Sequence, residues 1–222
     1  MKIKIAPSLT YADIMDLKNT LSAFELNGVD LLHVDVADGH FAPCIIGGSP
    51  LCDALHAQST IPLDLHLAVE RPELILPCFN LKKGDQVSLY AESTPNLYRA
   101  LSLVKKSGAK AFLALTLTTP LSVLREALDY IDGVTLSLSE PGSTATKLPS
   151  GAIPKIERTR ALLSECGQST MDLEVSGFMS FENASKMKKA GASIFVGDHM
   201  SIFHKDQTLA GGIVRLRNAV QG

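Results

Sequence analysis

The chain has 222 residues, 45% of them hydrophobic, with a formal net charge of −2 and four cysteines. That length and composition suit one large α/β domain or two small ones with a sizeable core. The near-neutral charge, without a long basic run, argues against nucleic acid or an anionic membrane surface as the main partner. Scattered cysteines (Cys44, Cys52, Cys78, Cys166) read as thiols of a cytoplasmic protein, with no disulfide framework or zinc knuckle.

In chain order, the start "MKIKIAPSL" is basic, but its apolar run breaks at Pro7, too early for a signal peptide. It reads as a first strand, about residues 3–9. Further apolar runs follow at roughly 31–37, 62–69, 86–91, 110–117, 133–139, 172–177 and 193–198. They are rich in Ile, Leu and Val, as strands buried on both faces should be. None approaches about eighteen apolar residues, so no membrane span is expected. Helix-like segments separate the runs. Gly28, Gly84, Gly108, Gly167 and Gly191 each stand shortly before a strand, where a left-handed helix cap is expected. Thr119-Pro120 and Ser49-Pro50 read as helix starts, and Thr10 with Asp13 as a capping box. Eight strand and helix units predict a single (β/α)₈ TIM barrel over residues 1–222. An open doubly wound sheet is the runner-up, disfavoured because no GxGxxG follows the first strand.

Barrel chemistry sits at the C-terminal strand ends. Ser8 ends the first run. His33 and Asp35 share one face of the second, and Asp64 and His66 one face of the third. Two imidazoles and a carboxylate converging there predict a divalent-metal site of His33, Asp35 and His66. Zn²⁺ is the first expectation, with Fe²⁺ or Mn²⁺ as alternatives. Each histidine taken alone has a plainer reading, as a satisfied polar group of the barrel; burying them jointly demands partners. Asp64 reads either as the acceptor that orients a histidine or as a structural hydrogen-bond partner.

"IAPSLTYAD", "HVDVADGHFAP" and "PLDLHLAVERPE" resemble the ribulose-phosphate 3-epimerase family, from about residue 3 to residue 203. The resemblance implies a (β/α)₈ barrel, D-ribulose 5-phosphate as substrate, and a metal held by two histidines and two aspartates. One aspartate takes the C3 proton and the other returns one to the opposite face, across a cis-enediolate. It also implies a homo-oligomer. Matched by position, Ser8 contacts substrate, His33, Asp35 and His66 hold metal, and Asp35 is one catalytic aspartate. Substrate contacts are expected from Ser8, Gly142, Ser176, Gly177 and Gly197.

The second half of the chain departs from this pattern. The family's "EVDGG" reads "EVSGF" at Glu174 to Phe178, so Ser176 replaces the second aspartate. A serine hydroxyl is a poor base at neutral pH and brings no charge to a metal. Ala37, Ala68 and Ser137 replace three methionines, and Tyr90 a histidine. The phosphate loop reads "EPGSTATK", where Gly142, Ser143, Thr144, Thr146 and Lys147 are candidate contacts. Phe178 takes a glycine's place and Asp198 that of a small hydroxyl residue. A carboxylate beside a phosphate dianion is repulsive unless it is protonated or turned away.

The expected activity is therefore metal-dependent epimerisation of a ketose or ketose phosphate. The alternatives are a one-base aldolase or isomerase, and a non-catalytic sugar- or metal-binding protein. The DxKxxD pattern of decarboxylase relatives on this barrel is missing.

Overall fold

A computed structural model describes residues 2–143 and 146–221. The chain begins with β1 (Lys4–Pro7), α1 (Leu17–Leu26), β2 (Leu32–Asp38) and a two-residue β3 (Ile45–Ile46). Next come α2 (Ser49–Gln58), β4 (Leu63–Ala68), α3 (Pro72–Ile75), β5 (Gln86–Tyr90), α4 (Leu97–Lys106) and β6 (Lys110–Leu115). The second half contains α5 (Ser122–Ala127), β7 (Gly133–Ser137), α6 (Ala152–Glu165), β8 (Asp172–Ser176), α7 (Phe181–Lys189), β9 (Ile194–Gly197) and α8 (Leu209–Gln221).

The strands form one curled sheet in the order β1-β9-β8-β7-β6-β5-β4-β2-β3. Every pair is parallel except β2 with β3. The two ends meet where Ser8 bridges His33 and the Leu31 amide donates to the Ile5 carbonyl at 3.3 Å. This is the (β/α)₈ barrel expected from the alternating runs. All eight expected strands are present, within about two residues of their expected ends.

β3 is the addition. It folds back on Ala37 and Asp38 as a ribbon beside β2, too short to leave a periodic signal. Gly47 follows it at φ +69°, and a Cβ there would lie 2.4 Å from the Asp35 carbonyl oxygen. Only glycine lets the ribbon lie this close to the strand that carries Asp35.

Alternation divides each strand between two environments. Outward residues such as Leu65, Val87, Leu113, Val134 and Leu173 join the main apolar core under the helices. Inward residues form a buried polar layer. Gln86 Nε2 donates to Asp64 Oδ1 at 2.9 Å and to Glu174 Oε2 at 2.8 Å. Thr135 donates to Glu174 Oε1 at 3.2 Å, and its hydroxyl pairs with that of Ser88 at 2.7 Å. The bonds join β4, β5, β7 and β8 through the barrel's middle, and their mutual satisfaction makes this burial tolerable.

Several expected helix ends are corrected. Gly84 has a positive φ but follows a loop, since the preceding helical turn ends at Cys78. α2 is capped by Gly48, with Ser49 already helical. Near α5, Thr119 accepts from the Thr116 amide at 3.0 Å and contacts the Glu92 carboxylate, so the helix starts at Ser122. Asp13 caps a short turn alone through the Met15 amide, because the Thr10 hydroxyl is turned toward Asp35.

Candidate active site

A cavity of about 200 Å³ opens at the C-terminal strand ends. It is smaller than the roughly 300–1,000 Å³ of pockets for drug-sized ligands, a size suited to a small molecule. Asp35 is its centre. Parallel register sets Asp35 beside His66 and His33 beside Asp64 on β2 and β4. Asp35 Oδ1 lies 3.3 Å from His33 Nε2 and 3.4 Å from His66 Nδ1. Asp35 Oδ2 accepts from Ser8 Oγ at 2.9 Å and Thr10 Oγ1 at 2.7 Å. The carboxylate thus joins the ends of β1, β2 and β4.

Asp64 Oδ2 lies 2.6 Å from His33 Nδ1, and both groups are buried. This bond leaves Nε2 of the ring toward Asp35, a geometry shared by both readings of Asp64, as the acceptor that orients a histidine and as a structural partner. Burial pushes the Asp35 carboxyl up, but His33 and His66 beside it outweigh this and hold it well below the usual range. Burial pushes His33 down, but Asp35 and Asp64 raise it well above the ordinary imidazole value.

The donor set fits a divalent ion. One nitrogen from His33, one from His66 and a carboxylate oxygen from Asp35 lie within 4.8 Å of one another. Three protein ligands with an open position is the pattern of catalytic zinc sites. His33, Asp64 and Glu174 also lie close together. Gln86 and Thr135 already bond to the carboxylates of that deeper set, and burial raises the Glu174 carboxyl well above its ordinary value.

Ser8, Asp35, His66, Gly142, Ser176 and Gly177 line the cavity. His33 lies beneath the lining, 1% exposed, and reaches the site through Asp35. Gly197 is outside the lining; a Cβ there would meet Ile202 Cδ1 at 2.4 Å, so its smallness admits that side chain. Glu174 lies one layer below Ser176, wholly buried. Ala37, Ala68 and Ser137 line the wall, as does Tyr90, whose ring stacks on His66 at 5.0 Å. Ser143 lines it too, Lys147 is exposed outside it, and Thr144 lies outside the described residues.

Thr10 was hidden by its capping reading. Its signal was the two-residue spacing from Ser8 at the end of β1. The Asp198 carboxylate is turned into its own loops, accepting from Met179 N at 3.0 Å and Met200 N at 2.7 Å. Burial raises its carboxyl, and those two amides lower it again in part.

The sequence profile described as "Ribulose-phosphate 3 epimerase family" matches residues 4–202. The chain belongs to the ribulose-phosphate 3-epimerase family. It is 36% identical over 194 residues to ribulose-phosphate 3-epimerase of Bacillus subtilis (strain 168), covering 87% of this chain and 89% of that one. It is 35% identical over 206 residues to the chloroplastic ribulose-5-phosphate-3-epimerase of Arabidopsis thaliana, covering 92% and 73%. These relatives of the epimerase family are isomerases. Among solved structures, KGPDC from Streptococcus mutans, crystallised as a sugar-phosphate complex, has a TM-score of 0.73 at 13% identity, with 99% and 97% coverage. 3-Hexulose-6-phosphate synthase from Salmonella typhimurium has a TM-score of 0.69 at 12% identity, with 99% coverage of each chain. At that identity the structural likeness shows the shared barrel alone.

Proposed function

We propose that this chain is a metal-dependent isomerase of a ketose or ketose phosphate that moves a proton beside the carbonyl through an enediolate. The observation that carries the reading is Asp35, set in the cavity against two imidazoles and two hydroxyls. His33, Asp35 and His66 would hold a divalent ion, Zn²⁺ first and Fe²⁺ or Mn²⁺ otherwise, which supplies a Lewis acid for developing oxygen charge. Ser8 and Thr10 hold Oδ2 of Asp35, the oxygen turned away from the histidines, and fix the face from which it takes the proton.

The opposite face is served differently. Ser176 offers a hydroxyl where epimerisation needs a second acid and base, so reprotonation there relies on water. This supports a slow epimerase, and equally a one-base isomerase or aldolase that returns the proton to the same face. A non-catalytic binder is disfavoured by the paired bonds that preorganise Asp35. The partner is a small sugar or sugar phosphate. A cytoplasmic homo-oligomer of single 1–222 barrel domains completes the proposal; the four free cysteines support that location.

The test is NMR of metal-loaded protein in D₂O with D-ribulose and with D-ribulose 5-phosphate. Deuterium entering C3 is expected, with inversion lagging behind exchange. No exchange in either ketose would refute the isomerase.

A further inference from the structure

The side of the cavity formed by β8 and β9 carries negative charge where an anionic ligand would need positive charge. In barrels of this type, backbone N–H groups after the last two barrel strands commonly bind phosphate. Here two such groups, Met179 N after β8 and Met200 N after β9, already donate to the carboxylate of Asp198. That side chain is 4% exposed and lines the cavity. Capping the turn at 199–203 accounts for the bond from Met200 alone. The bond from Met179 comes from a different loop and makes Asp198 an anion held between the two.

The rest of the lining agrees. Asp35, Glu140 and Asp198 bring carboxylates, and among the described residues no lysine or arginine lines the cavity. Besides the His66 imidazole, its other polar side chains are mainly hydroxyls, notably those of Ser137, Ser139, Ser143 and Ser176. Tyr90 belongs to the same wall. Its hydroxyl is buried beside that of Ser137, and a ligand hydroxyl can bond to the pair.

We infer that the cavity takes an unphosphorylated polyhydroxy ketone, with Asp198 occupying the amides that would otherwise hold a phosphate ester. The inference deepens the proposed isomerase reading and rests on its assignment of this cavity to a ketose. An incoming phosphate dianion would have to displace a buried carboxylate from two N–H donors and then lie beside it. A neutral polyol faces hydroxyls and carboxylates that accept and donate readily.

Calorimetric titration of the Zn²⁺-loaded full chain tests this with three probes: D-ribulose, D-ribulose 5-phosphate and inorganic phosphate. D-ribulose is expected to bind at least about tenfold more tightly than its 5-phosphate, and inorganic phosphate should not compete. Asp198→Ser frees both amides and should improve binding of the ester at least about tenfold. Asp198→Asn keeps an acceptor there if the serine variant fails to fold, and should shift the preference the same way. Three outcomes overturn the inference: the unmodified protein binding the ester as tightly as the free ketose, folded variants with an unchanged preference, or no binding of either sugar. Deuterium exchange separates the two readings. D-ribulose that binds without exchanging removes the isomerase and leaves this inference. Exchange of the ester at a lower KM than the free ketose does the reverse.

Discussion

A single hydroxyl sets the limit of the proposed chemistry. Asp35 has the geometry of a base on one face, and Ser176 lines the same cavity without a charge. General acid–base groups are worth about 10²–10⁴-fold in rate. Ser176→Asp should therefore raise inversion at C3 at least about a hundredfold, while exchange through Asp35 changes far less. NMR of both processes in one sample reads the ratio, and an unchanged ratio would remove the assignment of Ser176 to the missing position. His33, Asp35 and His66 were legible in the sequence because two-residue spacing on a strand fixes a common face. Thr10 was not, because its role depends on how the chain leaves β1, and a hydroxyl three residues before an acid has the same pattern as a helix cap. The inward turn of Asp198 was equally hidden, since its two amide donors come from loops about twenty residues apart in sequence.

Pairs of strands carry the next level of control. β2 and β4 in register bring Asp64 to His33, and that bond fixes which nitrogen faces Asp35. Loss of a carboxylate that orients a metal-binding histidine typically costs 10–100-fold in metal affinity. Asp64→Asn should weaken Zn²⁺ binding by about that factor, read by competition with a chelating dye; undiminished affinity would make the pair purely structural.

Glu174 belongs to the same buried layer and makes stability pH-dependent. Burial and the nearby Asp64 raise its folded pKa well above 4.5, so the folded state keeps a proton that the unfolded chain loses. Stability should fall as pH rises from about the unfolded value through the folded one. Glu174→Gln stays neutral and can keep the bond from Gln86. Urea midpoints at several pH values should show a shallower fall for the variant, and parallel curves would refute the assignment. The strands themselves were legible because each is a nearly continuous apolar run. Helix starts near α2 and α5 were legible only to within a few residues, since hydroxyl–proline pairs also serve loops.

The closure of the barrel ties this site to the stability of the whole fold. β1 and β2 meet through one bridge, bonds from the Asp30 and Leu31 amides to the Ile5 carbonyl, and a 3.1 Å bond from the Ile5 amide to the Asp30 carboxylate. Asp35 adds to this seam, since Ser8 and Thr10 reach it from beyond β1 while His66 approaches from β4. Sequence could indicate eight units, but the strength of the last joint depends on contacts between residues near opposite ends of the sheet. An ion held by His33, Asp35 and His66 needs β2 and β4 in register, and Ser8 and Thr10 couple that pair to the seam through Asp35. Ligand at about 100 times its Kd stabilises the folded state by about 2.7 kcal/mol. For a chain of this length, each kcal/mol raises Tm by about 2–4 °C. Zn²⁺ at that excess should therefore raise Tm by about 5–11 °C, and a chelator should reverse the shift. His66→Ala removes one donor and should abolish most of the gain. An equal gain in that variant would place the stabilising ion away from the seam, and with it the metal site proposed for Asp35.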